Sequence, residues 1–89
     1  MEIQFSEEFT QICSEIIKEA KSQDEWAEIE SDDMFQSQHY AGGYDADEMA
    51  FCFSFFNNTG DEFWFQLTLD EVEAVVKGSL NRVSARPAE

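Results

Sequence analysis

Apolar side chains recur over residues 6–21 at helical spacing. Phe5, Phe9, Ile12, Cys13, Ile16, Ile17 and Ala20 fall three or four positions apart, which places them on one stripe of an α-helix. Ser6 stands at the N-cap position, Glu7 and Glu8 suit the positive end of the helix dipole, and Lys18 and Lys21 suit the negative end. Beyond Asp24 the period changes. Over residues 49–56, Met49, Phe51, Phe53 and Phe55 alternate with Ala50, Cys52, Ser54 and Phe56, the two-residue period of a strand. The polar run 57–62 reads as a turn, after which Phe63, Phe65 and Leu67 alternate with Trp64, Gln66 and Thr68 to complete a hairpin. Residues 34–40 are expected to add another strand, joined to the hairpin by a loop over 41–48 that contains Gly42 and Gly43. A shorter strand over 26–31 competes with a helical reading, because Trp26 and Ile29 also fit helical spacing.

Thr68-Leu69-Asp70-Glu71 matches a capping box, in which the Thr68 hydroxyl and the Glu71 carboxylate each satisfy an otherwise orphaned backbone N–H. A second helix therefore begins at Leu69 and turns Leu69, Val72, Val75 and Val76 towards the sheet. It either ends at Gly78 or runs on through Leu80 and Val83, with Gly78 inside at a cost of about 1 kcal/mol relative to Ala. Residues 84–89, with Pro87, are expected to form a frayed tail. The predicted class is α+β: an N-terminal helix, three or four antiparallel strands in a meander and a C-terminal helix. Both helices lie on one sheet face, where they bury Phe51, Phe53, Phe55, Phe63 and Phe65. Trp64 and Phe56 then project from the opposite face, with Tyr40 beside them.

The chain has 89 residues, enough for a single small domain that buries roughly 60% of its unfolded surface. An apolar fraction of 43% with nine Phe argues against a disordered acidic tail. No stretch approaches the ~20 apolar residues of a membrane span. Met1-Glu2-Ile3-Gln4 lacks the basic start and apolar run of a secretory signal, so a cytoplasmic location is expected. Cys13 and Cys52 sit in apolar stretches, where reduced thiols act as small hydrophobes.

Charge alters the picture more than composition does. Twenty Asp and Glu against five Lys and Arg give a formal net charge of -15. Residues 22–76 hold fourteen acids and no Lys or Arg; the bases are Lys18, Lys21, Lys77, Arg82 and Arg86. A domain of this length is roughly 30 Å across, and 30 Å of duplex DNA carries roughly 18 charges, a comparable density. Self-repulsion at such a charge opposes folding, so the imbalance serves either solubility or a basic partner.

Catalytic chemistry is sparse. His39 reads as a strand-surface residue without a nucleophile placed beside it. Cys13 and Cys52 lack the paired spacing of a zinc site. Asp45, Asp47 and Glu48 form the best carboxylate cluster for a weak divalent cation, but they miss the calcium-loop pattern and read as a solvated turn. Gly42-Gly43 lacks the spacing of a phosphate loop. Phosphate affinity comes from Lys and Arg, so direct nucleic-acid binding is excluded in practice. No enzyme, cofactor or metal is expected.

In composition and size the chain resembles DNA-mimic inhibitors of phage and mobile elements, anti-restriction and anti-CRISPR proteins among them, and immunity proteins that neutralise nuclease toxins. The likeness covers overall charge and size only. It implies a non-catalytic inhibitor that docks on the basic surface of a nucleic-acid-binding enzyme or nuclease. Glu28, Glu30, Asp32, Asp33, Asp45, Asp47, Glu48, Asp61 and Glu62 would stand in for phosphates, and Trp64 or Phe56 would supply a buried anchor. Glu28 and Glu30 would form a row ~6.7 Å apart if they share a strand face. The competing expectation is a small acidic adaptor or homodimeric subunit that assembles through the aromatic sheet face, with its charge serving solubility.

Overall fold

A computed structural model describes residues 1–19, 21–28 and 35–88. Among these residues the elements are β1 (Glu2–Gln4), α1 (Glu7–Lys18), α2 (Gln23–Glu28), β2 (Phe35–Gln36), β3 (Tyr40–Asp45), β4 (Ala50–Phe56), β5 (Glu62–Leu67), α3 (Leu69–Lys77), β6 (Arg82–Ser84) and β7 (Arg86–Pro87). Five strands form one antiparallel sheet in the order β2-β3-β4-β5-β7, and β1 pairs with β6 in a separate ribbon. The class is α+β as expected, with more strands than the sequence pattern predicts.

One face of the sheet carries the core. Phe51, Phe53, Phe65 and Leu67 are buried, and Phe55 and Phe63 pack against them. Phe9 of α1 is fully buried; its ring lies 4.8 Å from Tyr40, 5.0 Å edge-on from Phe53 and 5.5 Å from Phe65. Trp26 of α2 meets Phe51 edge-on at 5.2 Å. Val72 and Val75 bring α3 to the same core, Leu69 is half-buried, and Val76 points outwards. All three helices therefore cover one sheet face. Tyr40, expected on the opposite face, is buried in this core, because it and Tyr44 occupy the even positions of β3 that face the helices.

The strand expected over 34–40 is displaced. There Phe35–Gln36 forms a two-residue strand and Tyr40 opens the next one, and residue 34 lies outside the described residues. The main strand is β3, in the stretch whose glycines suggest a loop, and it pairs with β4 from Tyr40↔Phe55 to Asp45↔Ala50. Gly42 permits this. A Cβ at that position would lie 2.2 Å from the Cys52 carbonyl oxygen and 2.8 Å from the Phe53 ring. The actual turn is shorter. The Asp45 carboxylate accepts the amides of Asp47 (2.9 Å) and Glu48 (3.3 Å), and Met49 takes a left-handed φ of 53° instead of starting β4.

Around Trp26 the helical reading is correct as far as Glu28, beyond which residues 29–34 lie outside the described residues. Ser22 and Glu25 cap α2 reciprocally: the Ser22 hydroxyl accepts the Glu25 amide at 3.3 Å, and the Glu25 carboxylate accepts the Ser22 amide at 3.1 Å. Ser6 sits at the N-cap of α1 with extended backbone, but its side chain makes no cap bond.

The capping box at α3 forms as the sequence predicts. The Thr68 hydroxyl accepts the Glu71 amide (3.2 Å), and the Glu71 carboxylate accepts the Thr68 amide (2.9 Å). Replacing Thr68 with Ala should lower stability by about 1 kcal/mol, and Thr68→Ser should recover most of it; urea denaturation measures both. Gly78, at φ 82°, ends the helix. Residues 84–88 of the expected tail are bonded to neighbouring strands. Strand β7 pairs with β5 through Phe63↔Pro87 and Trp64↔Arg86. Ala85 is buried, and it exchanges bonds with Met1 through its amide (2.7 Å) and its carbonyl (2.8 Å).

Candidate functional site: the open sheet face

No described element covers the sheet face opposite the helices. Strand alternation places Ala41, Cys52, Ser54, Phe56, Glu62, Trp64 and Gln66 on it, and register aligns Ala41, Ser54, Trp64 and Arg86 in one row across four strands. The result is an open groove of about 1110 Å³. Trp64 is 38% exposed at its centre and Phe56 is half-buried, so this face keeps these two of the aromatic side chains the sequence assigned to it, while Tyr40 belongs to the core.

Glu62 is the best-organised polar group in the groove. Its Oε2 accepts the Trp64 indole N–H at 2.7 Å and the Ser54 hydroxyl at 2.7 Å. These bonds, Trp64's first and then Ser54's, outweigh desolvation and hold the carboxyl below its usual value. The group is therefore ionised at neutral pH. The Arg86 guanidinium lies over the Trp64 ring, 5.7 Å from its centroid, a cation–π distance.

The expected acidic set is gathered in part. Asp45, Glu48 and Glu62 line the groove together with Phe56 and Trp64, and Asp47 is exposed on the same turn as Glu48. Asp61 sits at the opposite end of β4, where its carboxylate accepts the Thr59 hydroxyl at 2.9 Å. A seven-residue strand separates the two acidic turns by roughly 20 Å. Glu28 is exposed on α2, behind the sheet and away from the groove. Glu28 ends a helix and therefore takes no strand position in the expected row with Glu30. Glu30, Asp32 and Asp33 lie outside the described residues. The sequence pattern does not point to Ser54, Gln66 or Arg86 as site residues. Arg86 falls in the segment that reads as a tail, although Arg82-Val83-Ser84-Ala85-Arg86 carries a weak two-residue period.

Behind the sheet, His39 has a structural role in place of a bare surface position. Its Nδ1 lies 2.9 Å from Glu8 Oε1, while Glu8 Oε2 accepts the His39 amide at 2.7 Å and the Ser37 hydroxyl. This clamp fastens the first turn of α1 to the segment entering β3. The Glu8 hydrogen bond raises the His39 pKa above 6.5 against a smaller desolvation effect, with help from the Glu8 charge and the Asn58 side chain. Burial pushes Glu8 up, but the bonds from Ser37 and His39 together bring it below 4.5. The His39 contribution is thus full below pH 6.5 and disappears as pH rises through the folded value. The Glu8 contribution is present above pH 4.5 and is lost as pH falls through its lower folded value. An NMR titration of the imidazole should show a raised pKa that Glu8→Gln returns towards 6.5.

Among the described residues no three His, Cys, Asp or Glu side chains come together in a group that could hold a metal ion, and no helix is long and apolar enough to cross a membrane. Asp45 turns its carboxylate onto the turn amides instead of joining Asp47 and Glu48. In comparisons with family models, curated proteins and solved structures, the chain matches none.

Proposed function

We propose that this protein is a non-catalytic acidic binding module that docks its open sheet face on the basic, nucleic-acid-binding surface of a partner protein. The observation that carries this reading is the groove that no described element covers, lined by Trp64 and Phe56 together with Asp45, Glu48 and Glu62, with the exposed Asp47 on the turn beside Glu48 and the exposed Asp61 next to Glu62. Aromatic anchors supply desolvated contact area, and the flanking carboxylates set orientation and steer association. The radius of gyration of 12.2 Å spreads a net charge of -15 over a length comparable with a short DNA segment. The proposed class is the DNA-mimic inhibitor, acting in the cytoplasm on a nuclease or other nucleic-acid enzyme, as anti-restriction, anti-CRISPR and nuclease immunity proteins do. The exposure of Trp64 also favours a second reading, a homodimer joined through this face, in which the charge serves solubility.

A panel of basic DNA-binding proteins and nucleases passed over the immobilised protein tests the first reading. Retention at about 50 mM salt, released by about 200 mM salt or by competing duplex DNA, supports it. No retention, or retention that neither treatment displaces, contradicts it. Salt-insensitive dimerisation in sedimentation experiments would favour the second.

A further inference from the structure

The geometry points to an arginine subsite formed by the Trp64 ring and the Glu62 carboxylate, which the chain's own Arg86 occupies until an arginine of the partner displaces it. This rests on the reading of the groove as a docking face for a basic protein and specifies which cation the groove selects.

The subsite is assembled before any partner arrives. Glu62 holds the indole N–H of Trp64, and the Ser54 hydroxyl on the neighbouring strand fixes the same carboxylate oxygen. Both bonds fall on Oε2, and among the described residues none falls on Oε1. A flat aromatic surface therefore stands beside a carboxylate oxygen with accepting capacity left. A guanidinium suits this arrangement better than an ammonium, because it is planar, more weakly hydrated, stacks on aromatic rings and donates from several N–H groups at once.

Arg86 demonstrates the stacking half of that recognition. Strand β7 sets it directly across from Trp64, with the Ala88 amide bonded to the Glu62 carbonyl at 2.9 Å, and its guanidinium covers the ring. Among the described residues Arg86 makes no ion pair, whereas Arg82 pairs with Glu2 at 3.2 Å. Among the described residues its guanidinium is held by the ring face, without an ion pair, and so can yield to a competitor that reaches Glu62 as well. Self-occupancy lowers apparent affinity by the fraction of molecules with the ring covered.

Tetra-arginine and tetra-lysine peptides, titrated into the full 15N-labelled chain, test this. The reporter is the Trp64 indole N–H signal, assigned with Trp64→Phe. Tetra-arginine should move that signal and bind more tightly than tetra-lysine. Arg86→Ala should tighten tetra-arginine binding about two- to fivefold, the range set by an exposed cation–π contact. Arg82→Ala, which changes net charge equally, should do so by less. Equal affinity for the two peptides with an unmoved Trp64 signal overturns the subsite while leaving a docking face for basic proteins in place. Matching effects of Arg86→Ala and Arg82→Ala overturn the subsite in the same way. Binding of neither peptide overturns the subsite and the docking reading together.

Discussion

Gly42→Ala is expected to lower folding stability by about 3 kcal/mol, the upper end of ordinary overpacking costs. The added methyl would lie 2.2 Å from a backbone carbonyl oxygen of β4, which cannot move without breaking the pairing of β3 with β4. Chains of this length have roughly 4–13 kcal/mol of stability in total, so the loss takes a large share. Urea denaturation followed by tryptophan fluorescence measures it. Gly60→Ala provides the contrast: Gly60 has φ 86° with nothing within 4 Å of where a Cβ would stand, so only backbone conformation opposes the change, at about 1 kcal/mol. If the two substitutions cost the same, close strand approach is not what Gly42 provides.

Gly42 also shows where sequence reasoning stops. Glycines usually mark loops, so residues 41–48 read as one, yet here a missing side chain lets two strands meet under the groove. Elements written in strong local signals are legible. The Phe alternation of β4 and β5 yields both the hairpin and the assignment of its faces, and the Thr68–Glu71 box locates the start of α3. Elements defined by distant pairing are not. Strands β1, β6 and β7 are two or three residues long and gain their partners only after the chain folds back, so local periodicity announces them weakly at most.

The candidate site follows the same division. Trp64, Phe56 and Glu62 can be placed on the open face by counting along strands, whereas Arg86 reaches Trp64 only through the β7 pairing. Charge alone would put Glu28 on the surface that the groove occupies. The helix that carries it packs on the other side of the sheet.

Reversing Asp47 and Glu48 to Lys is expected to weaken binding to the retained basic partner about 10- to 100-fold at low salt. Both residues are exposed on the turn at one end of the groove, and only their backbone amides serve the turn. The substitutions should therefore leave the fold intact, and relief of self-repulsion should make it slightly more stable. The loss should shrink as salt is raised, because screening reduces the attraction in the parent chain and the repulsion in the variant together. Reversing Glu7 and Glu15, exposed on α1 behind the sheet, makes the same change in net charge and should weaken binding far less. Binding measured by calorimetry at two ionic strengths separates the cases. Equal losses from the two double variants would mean that total charge, and not the groove, determines the interaction.

Amide chemical-shift mapping of the 15N-labelled protein with that same partner locates the contact surface directly. Shifts should concentrate at Ala41, Cys52, Ser54, Trp64 and Gln66 and at the turn of Asp47 and Glu48, with α1 and α3 little changed. Shifts centred on the exposed faces of α1 and α3, with the row from Ala41 to Arg86 silent, would contradict the open sheet face as the binding surface.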